Sequence, residues 1–160
     1  QTEYIKQKLS NTDAKWKIVT NHHSVFSPAE GRDFEYARKV WKPLFEKYGV
    51  DLVLNGHDHT YARGHVPVKS TNTDELGNFK TLYVTSVSGP KQYKVDNKAL
   101  NNYISDGYIN QKTGEQTQFY QVISIESNKL FYDAYTVLGD KYDSAIITKD
   151  FSSGKKYLNK

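Results

Sequence analysis

Two short apolar runs, "WKIVTNHH" (residues 16–23) and "VDLVLNG" (residues 50–56), flank one amphipathic stretch, and that spacing leaves few folds open. Each run suits a single strand and is too short for a helix. Between them Phe34, Ala37, Val40, Trp41, Leu44, Phe45 and Tyr48 recur at helical spacing from Asp33 onward. Strand, helix, strand at this separation predicts a βαβ unit with a parallel pair. Helix-covered parallel strands are apolar throughout, so both runs are expected to be buried. Gly49 is placed to close the helix as its C′ residue. Pro43 lies inside the pattern and predicts a kink or a restart near Lys42, because its ring removes a helical donor.

The flanking sequence is simpler. Tyr4, Ile5, Lys8 and Leu9 share one face of what reads as the end of an amphipathic helix. After residue 64 the character changes to "KTLYVTSVSG", "FYQVISIES", "KLFYDAYTV" and "YDSAIITKD", a mostly antiparallel set of strands joined by Gly, Asn and Asp turns. Residues 90–116 form a polar, turn-rich insertion. The expected fold class is mixed α/β, one parallel βαβ unit followed by mainly antiparallel strands, in a single domain over residues 1–160.

Composition excludes several functions. There is no cysteine, so neither a disulfide framework nor a thiolate metal site is available. The net charge of +4 is modest, and lysines gather only at Lys155, Lys156 and Lys160, which reads as a solvated tail and not as a nucleic-acid footprint. No stretch is long enough to span a membrane as a helix. The sequence begins at Gln1 and contains no methionine, which reads as a processed, trimmed or internal piece of a longer protein.

All five histidines fall between residues 22 and 65. His22 and His23 end the first apolar run, and His57 and His59 follow the second. Ligand sites in open α/β sheets form beyond the carboxyl ends of the strands. Two neighbouring parallel strands would therefore bring these histidines to one edge. In extended chain His57 and His59 project to the same side, with Asp58 pointing away. They are spaced to serve two ions about 3.5–4 Å apart with one imidazole each. Gly56 is expected to let the backbone turn just before them. His65 reads as a hydrogen-bonded surface group, while His23 suits either role.

"VTNH" (Val19 to His22) and "GHDH" (Gly56 to His59), with "KVWKPLFEKYG" between them, resemble the Val-x-x-His and Gly-His-x-His motifs of the calcineurin-like metallophosphoesterases. Within that family the similarity is to the purple acid phosphatase branch, and it extends to "YVTSVSGPK" and the closing strands. The resemblance implies the C-terminal half of a four-layer αββα sandwich and a centre of two divalent or trivalent ions (Fe, Zn or Mn). His22 and His57 would bind one ion and His59 the other, with a hydroxide attacking phosphorus in line. Asn21, His23 and Asp58 would orient the ligands. Tyr61 and Arg63, just past the motif, would contact the phosphate of a small-molecule ester.

The resemblance also marks departures. Gly31 stands where many relatives carry a histidine proposed to protonate the leaving group, and Glu30, Arg32 or Asp33 are the candidates to replace it. The aspartate-bearing motifs of the family's N-terminal half are missing from this chain. "GDKYD" (Gly139 to Asp143) fits one of them as a pattern but reads as a hairpin turn. Three neutral imidazoles cannot balance two polyvalent cations, so the chain alone is expected to bind metal weakly and be nearly inactive, with the missing half as its partner. Phosphomonoester hydrolysis is the leading function. A nucleotide phosphodiesterase and a non-catalytic binding or structural domain are the alternatives. The branch further implies a secreted or periplasmic location.

Overall fold

The computed structural model describes residues 1–68 and 78–159. Helix α1 (Thr2–Ser10) leads to strand β1 (Ile18–Asn21), a π-helical turn (Ala37–Trp41), helix α2 (Lys42–Lys47) and strand β2 (Leu52–Asn55). Strands β3 (Tyr61–Pro67) and β4 (Phe79–Thr85) follow, then helix α3 (Asn97–Asn102) with a 3₁₀ turn (Tyr103–Asp106), and β5 (Ile109–Gly114). The chain closes with β6 (Phe119–Glu126), β7 (Lys129–Thr136), β8 (Lys141–Lys149) and β9 (Lys156–Asn159).

The βαβ unit forms as its spacing requires. Strands β1 and β2 pair in parallel with Asn21 opposite Asn55. Pro43 has no N–H to offer the Lys39 carbonyl, and the chain takes up the misfit as the π turn before α2 restarts at Lys42. Gly49 ends the helix in the left-handed region at φ +67°.

Five strands form the first sheet in the order β1-β2-β4-β3-β5, and four form the second in the order β6-β7-β8-β9. Strand β4 pairs in parallel with β2 and antiparallel with β3, so the first sheet holds three parallel strands where only a pair was expected. Side chains alternate across it. Val53 and Tyr83 face a helical layer with Phe26, Trp41, Phe45 and Leu100, whereas Leu52, Leu82 and Val84 face the second sheet with Phe119, Leu130, Tyr132 and Ile147. The described residues therefore stack as helices, sheet, sheet. The far side of the second sheet exposes Tyr120 and Val122.

Three expectations are corrected. Strand β1 is not buried: it pairs only with β2, and Ile18 is 39 % exposed. Residues 90–116 are not all turn, since β5 runs along β3; its Asn110, Gln111 and Lys112 hide the apolar alternation because an edge strand needs little of it. The last lysines are not a solvated tail. Lys156 begins β9, is 4 % exposed, and shares the fully buried Asp51 with Lys149; Lys160 lies outside the described residues.

Candidate metal centre

The register of β1 against β2 sets the site. Past the paired Asn21 and Asn55, both chains leave the sheet at one edge, and the Gly56 N–H donates to the His22 carbonyl (3.0 Å). Asn55, which the sequence offered only as half of an Asn-Gly turn, fixes this exit. Its amide donates to the backbone (3.1 Å) and side-chain (2.8 Å) oxygens of Asn21, and its own oxygen accepts from Val25 N–H (3.3 Å). Asn21 in turn donates to the His23 carbonyl (2.6 Å).

Residues 56–60 then bend and do not continue a strand, so the alternation argument for His57 and His59 fails. Each sits at positive φ, +69° and +47°, a region uncommon for a residue with a Cβ. The sharp turn is made by the histidines themselves; Gly56 is not in that region.

The bend still brings His57 to His22. Its Nδ1 lies 3.1 Å from His22 Nε2. Two nitrogens about 2.1 Å from one ion stand about 3.0 Å apart at a right angle and about 3.4 Å apart at the tetrahedral angle. This pair fits a single shared ion. The His23 ring packs on His57 at 4.3 Å between centroids. Burial, with His23 and Arg32 nearby, lowers the His57 pKa and favours the neutral imidazole that a metal needs.

His59 is held apart. Its Nδ1 faces the Lys91 carbonyl at 2.9 Å, its ring lies 4.9 Å from Tyr93, and its carbonyl accepts from Tyr93 N–H (3.1 Å). Among the described residues no group of three or more His, Cys, Asp or Glu is placed to hold an ion. The residues present thus fit one ion through two imidazoles, and a dinuclear centre is not complete within them.

The residues expected to orient the ligands do so only indirectly. Asn21 shapes the backbone. Asp58 is fully buried beside Ser24 and Ser27 without a hydrogen bond to either histidine, and burial raises its pKa. Arg32 meets the cluster directly: Nη1 contacts His57 Nε2, and Nη2 donates to the Tyr93 hydroxyl (2.9 Å). A pocket of about 420 Å³ opens here, lined by His23, Glu30, Arg32, Phe34, His57 and Tyr93 among others. Beside it, residues 28–30 and 94–96 are tied by Glu30 N–H to the Lys94 carbonyl (3.0 Å) and Asp96 N–H to the Pro28 carbonyl (2.8 Å).

The structure does not bring Tyr61 and Arg63 to this pocket. Both side chains are turned between the sheets, where Arg63 binds Asp143 through Nε (2.7 Å) and Nη2 (2.8 Å), and the Tyr61 hydroxyl donates to the same carboxylate (2.6 Å). Strand parity decides it, because alternate residues of β3 face the second sheet. "GDKYD" forms the expected hairpin turn, with Gly139 at φ +92°, but its Asp143 is already inside β8. His65 is half-buried and not a surface group; its Nδ1 is sealed from solvent without a partner, and burial lowers its pKa.

The calcineurin-like phosphoesterase profile matches residues 2–61, the span that carries both histidine motifs. Purple acid phosphatase 4 of Arabidopsis thaliana is 27 % identical over 157 residues, covering 92 % of this chain and 40 % of that protein. Purple acid phosphatase 17 of the same plant is 36 % identical over 55 residues, 34 % of this chain and 16 % of that protein. Among solved structures, a purple acid phosphatase from yellow lupin (Lupinus luteus) seeds superposes with a TM-score of 0.63 at 20 % identity, covering 95 % of this chain and 28 % of that one. The last likeness concerns fold. The chain spans less than half the length of the curated relatives named here.

Proposed function

We propose that this chain forms the histidine-bearing part of a metal-dependent hydrolase of phosphate monoesters, acid phosphatase-like in substrate class. The observation that carries the reading is the His22–His57 pair, two ring nitrogens 3.1 Å apart at the carboxyl edge of parallel strands. His22 Nε2 and His57 Nδ1 would hold one ion. His59 is the candidate for a second, because a ring nitrogen committed to a backbone carbonyl leaves the other free as a donor. Iron, zinc and manganese all suit imidazole. Bound metal would supply positive charge to the phosphoryl oxygens and a nucleophile at neutral pH.

The protein's own residues position and shield. His23 and the Asn21–Asn55 hydrogen bonds keep His57 turned toward His22, and the tied loops at residues 28–30 and 94–96 shape the pocket for the ester. The carboxylates that two ions require would come from sequence outside this chain. The free side of β1, with Ile18 exposed, is suited to further strand pairing by that segment. A secreted or periplasmic location belongs to the same reading; no described helix is long and apolar enough to cross a membrane.

Zinc and manganese titrations of the chain, with p-nitrophenyl phosphate turnover by the full-length protein, test the reading. His57→Ala should abolish the tightest metal-binding step and reduce turnover by at least about a hundredfold. Unchanged metal binding and turnover in that variant would refute it.

A further inference from the structure

Arg32 is a half-buried cation that forms no ion pair with a carboxylate among the described residues. The acidic neighbours are otherwise disposed. Asp33 is bound by Arg38 at 2.5 Å, Asp58 is buried in the pocket wall, and Glu30 is exposed. The guanidinium instead lies over the Tyr93 ring, 4.7 Å from its centroid, and uses two of its five N–H donors on His57 Nε2 and the Tyr93 hydroxyl. Among the described residues the other N–H groups have no partner, and the pocket of about 420 Å³ is beside them. A planar fork with spare donors, braced on an aromatic face, matches the oxygens of a phosphate.

The contact with His57 adds a second step. A neutral imidazole has one lone pair and one N–H. Arg32 can only donate, so its contact requires the lone pair on Nε2, which places the proton on Nδ1, toward His22. An ion held by His57 Nδ1 would need that lone pair and leave the proton on Nε2, so Arg32 would lose its acceptor on His57 and keep its donors for the pocket.

We propose that Arg32, braced on Tyr93 and borrowed from His57 when metal binds, is the anion anchor of this pocket, taking the oxygens of a phosphate ester through its free guanidinium edge. The Tyr93, Phe34 and His23 rings beside it make an aryl ester the best-fitting ligand class. This deepens the phosphoester reading and rests on it only for the metal-dependent step. Anchoring by charge requires no metal.

The test measures two affinities by calorimetry on the chain, phenyl phosphate with chelator present and zinc without ligand. Arg32→Ala should weaken phenyl phosphate by about 10- to 100-fold, the loss of charge-assisted hydrogen bonds. The same variant should tighten zinc about tenfold, as for removing a unit positive charge about 6 Å from a divalent ion in a water-like medium. Arg32→Lys should recover part of the first affinity and none of the second change. Opposite signs in one variant are not what a loss of structure produces. Phenyl phosphate bound equally by Arg32→Ala and the unchanged protein overturns the anchor, as does zinc binding weakened by that variant. If the hydrolase reading alone is wrong, zinc binding survives His57→Ala, while the Arg32→Ala loss of phenyl phosphate remains.

Discussion

Replacing Asp143 with Ala should cost about 3–5 kcal/mol, the range for stranding one member of a buried ion pair. Arg63 and Asp143 are joined by two parallel bonds of 2.7 and 2.8 Å, with side chains only 5 % and 7 % exposed. Alanine leaves a guanidinium between two sheets with Gln111 as its only remaining partner (2.5 Å). The Tyr61 hydroxyl loses one bond but keeps Tyr132 at 3.0 Å, so the unpaired charge dominates. With a urea slope of about 2 kcal/mol per molar, the unfolding midpoint should fall by about 1.5–2.5 M. The double variant Arg63→Met with Asp143→Leu removes both charges and should recover most of that loss, because an apolar pair of similar size often replaces a buried ion pair at little net cost. Burial pushes the Asp143 pKa up, but hydrogen bonds from Arg63 and Tyr61 outweigh it and hold the carboxyl below its usual range. A depressed folded pKa means the stabilisation is complete above the unfolded value, about 3.9, and disappears as pH falls through the folded one. Urea melts from pH 2.5 to 7 should show that acid loss in the unchanged protein and not in the double variant. The double variant should also bind phenyl phosphate normally. A loss under 1 kcal/mol in Asp143→Ala would refute the buried-pair account, and lost phenyl phosphate binding in the double variant would return Arg63 to the substrate site.

Lys156 is held by Asp51 yet buried beside Lys149 and Lys17, and desolvation brings its pKa down to about 8. A folded pKa below the unfolded one means the unfolded chain binds more protons between them, so stability should rise with pH from about 8 to 10.4; Lys156→Met should flatten that rise in urea melts at pH 7.5, 9 and 10. Gly64→Ala should destabilise by about 3 kcal/mol or more, because a Cβ there would collide with the Tyr108 ring and the Ile109 carbonyl, and a backbone oxygen in a paired strand cannot step aside; thermal unfolding reads this out. Gly49→Ala meets open space and carries only the left-handed backbone cost, about 1 kcal/mol by the same measurement.

The parallel unit was legible because its evidence is local. Apolar runs, a 3.6-residue period, a proline and a terminal glycine each act within a few residues, and β1, the restart at Lys42 and the Gly49 cap appear where those signals put them. What failed was pairwise. Nothing in "KTLYVTSVSG" distinguishes a strand parallel to β2 from an antiparallel one, since alternation is the same in both. Nor does a lysine-rich end announce that Lys156 reaches Asp51 more than a hundred residues earlier. The site divides in the same way. Strand ends and topology predicted that His22 and His57 converge, and they do, whereas Tyr61 and Arg63 were assigned by nearness in sequence to the motif. Strand parity turns them inward to Asp143, a partner eighty residues away. Tyr93 and Asn55 escaped notice because their roles depend on loops meeting across the sheet edge.

His57 and His59 carry a cost that local reasoning could not price. Each occupies a left-handed conformation that glycine would adopt freely, at about 1 kcal/mol or more apiece. Such a turn survives only when its surroundings dictate it, and here they do. The Asn21–Asn55 hydrogen bonds fix its entry, Asp58 N–H donates to the Gly56 carbonyl (2.8 Å) at its centre, and Tyr93 and Lys91 hold His59 at its exit. An extended strand would have placed both imidazoles on one face about 7 Å apart. The strained turn instead lets one ring close on His22 while the other is fixed against a different loop. The bend therefore separates the two rings, one against His22 and the other against Lys91 and Tyr93, an arrangement that no straight run of "GHDH" could reach.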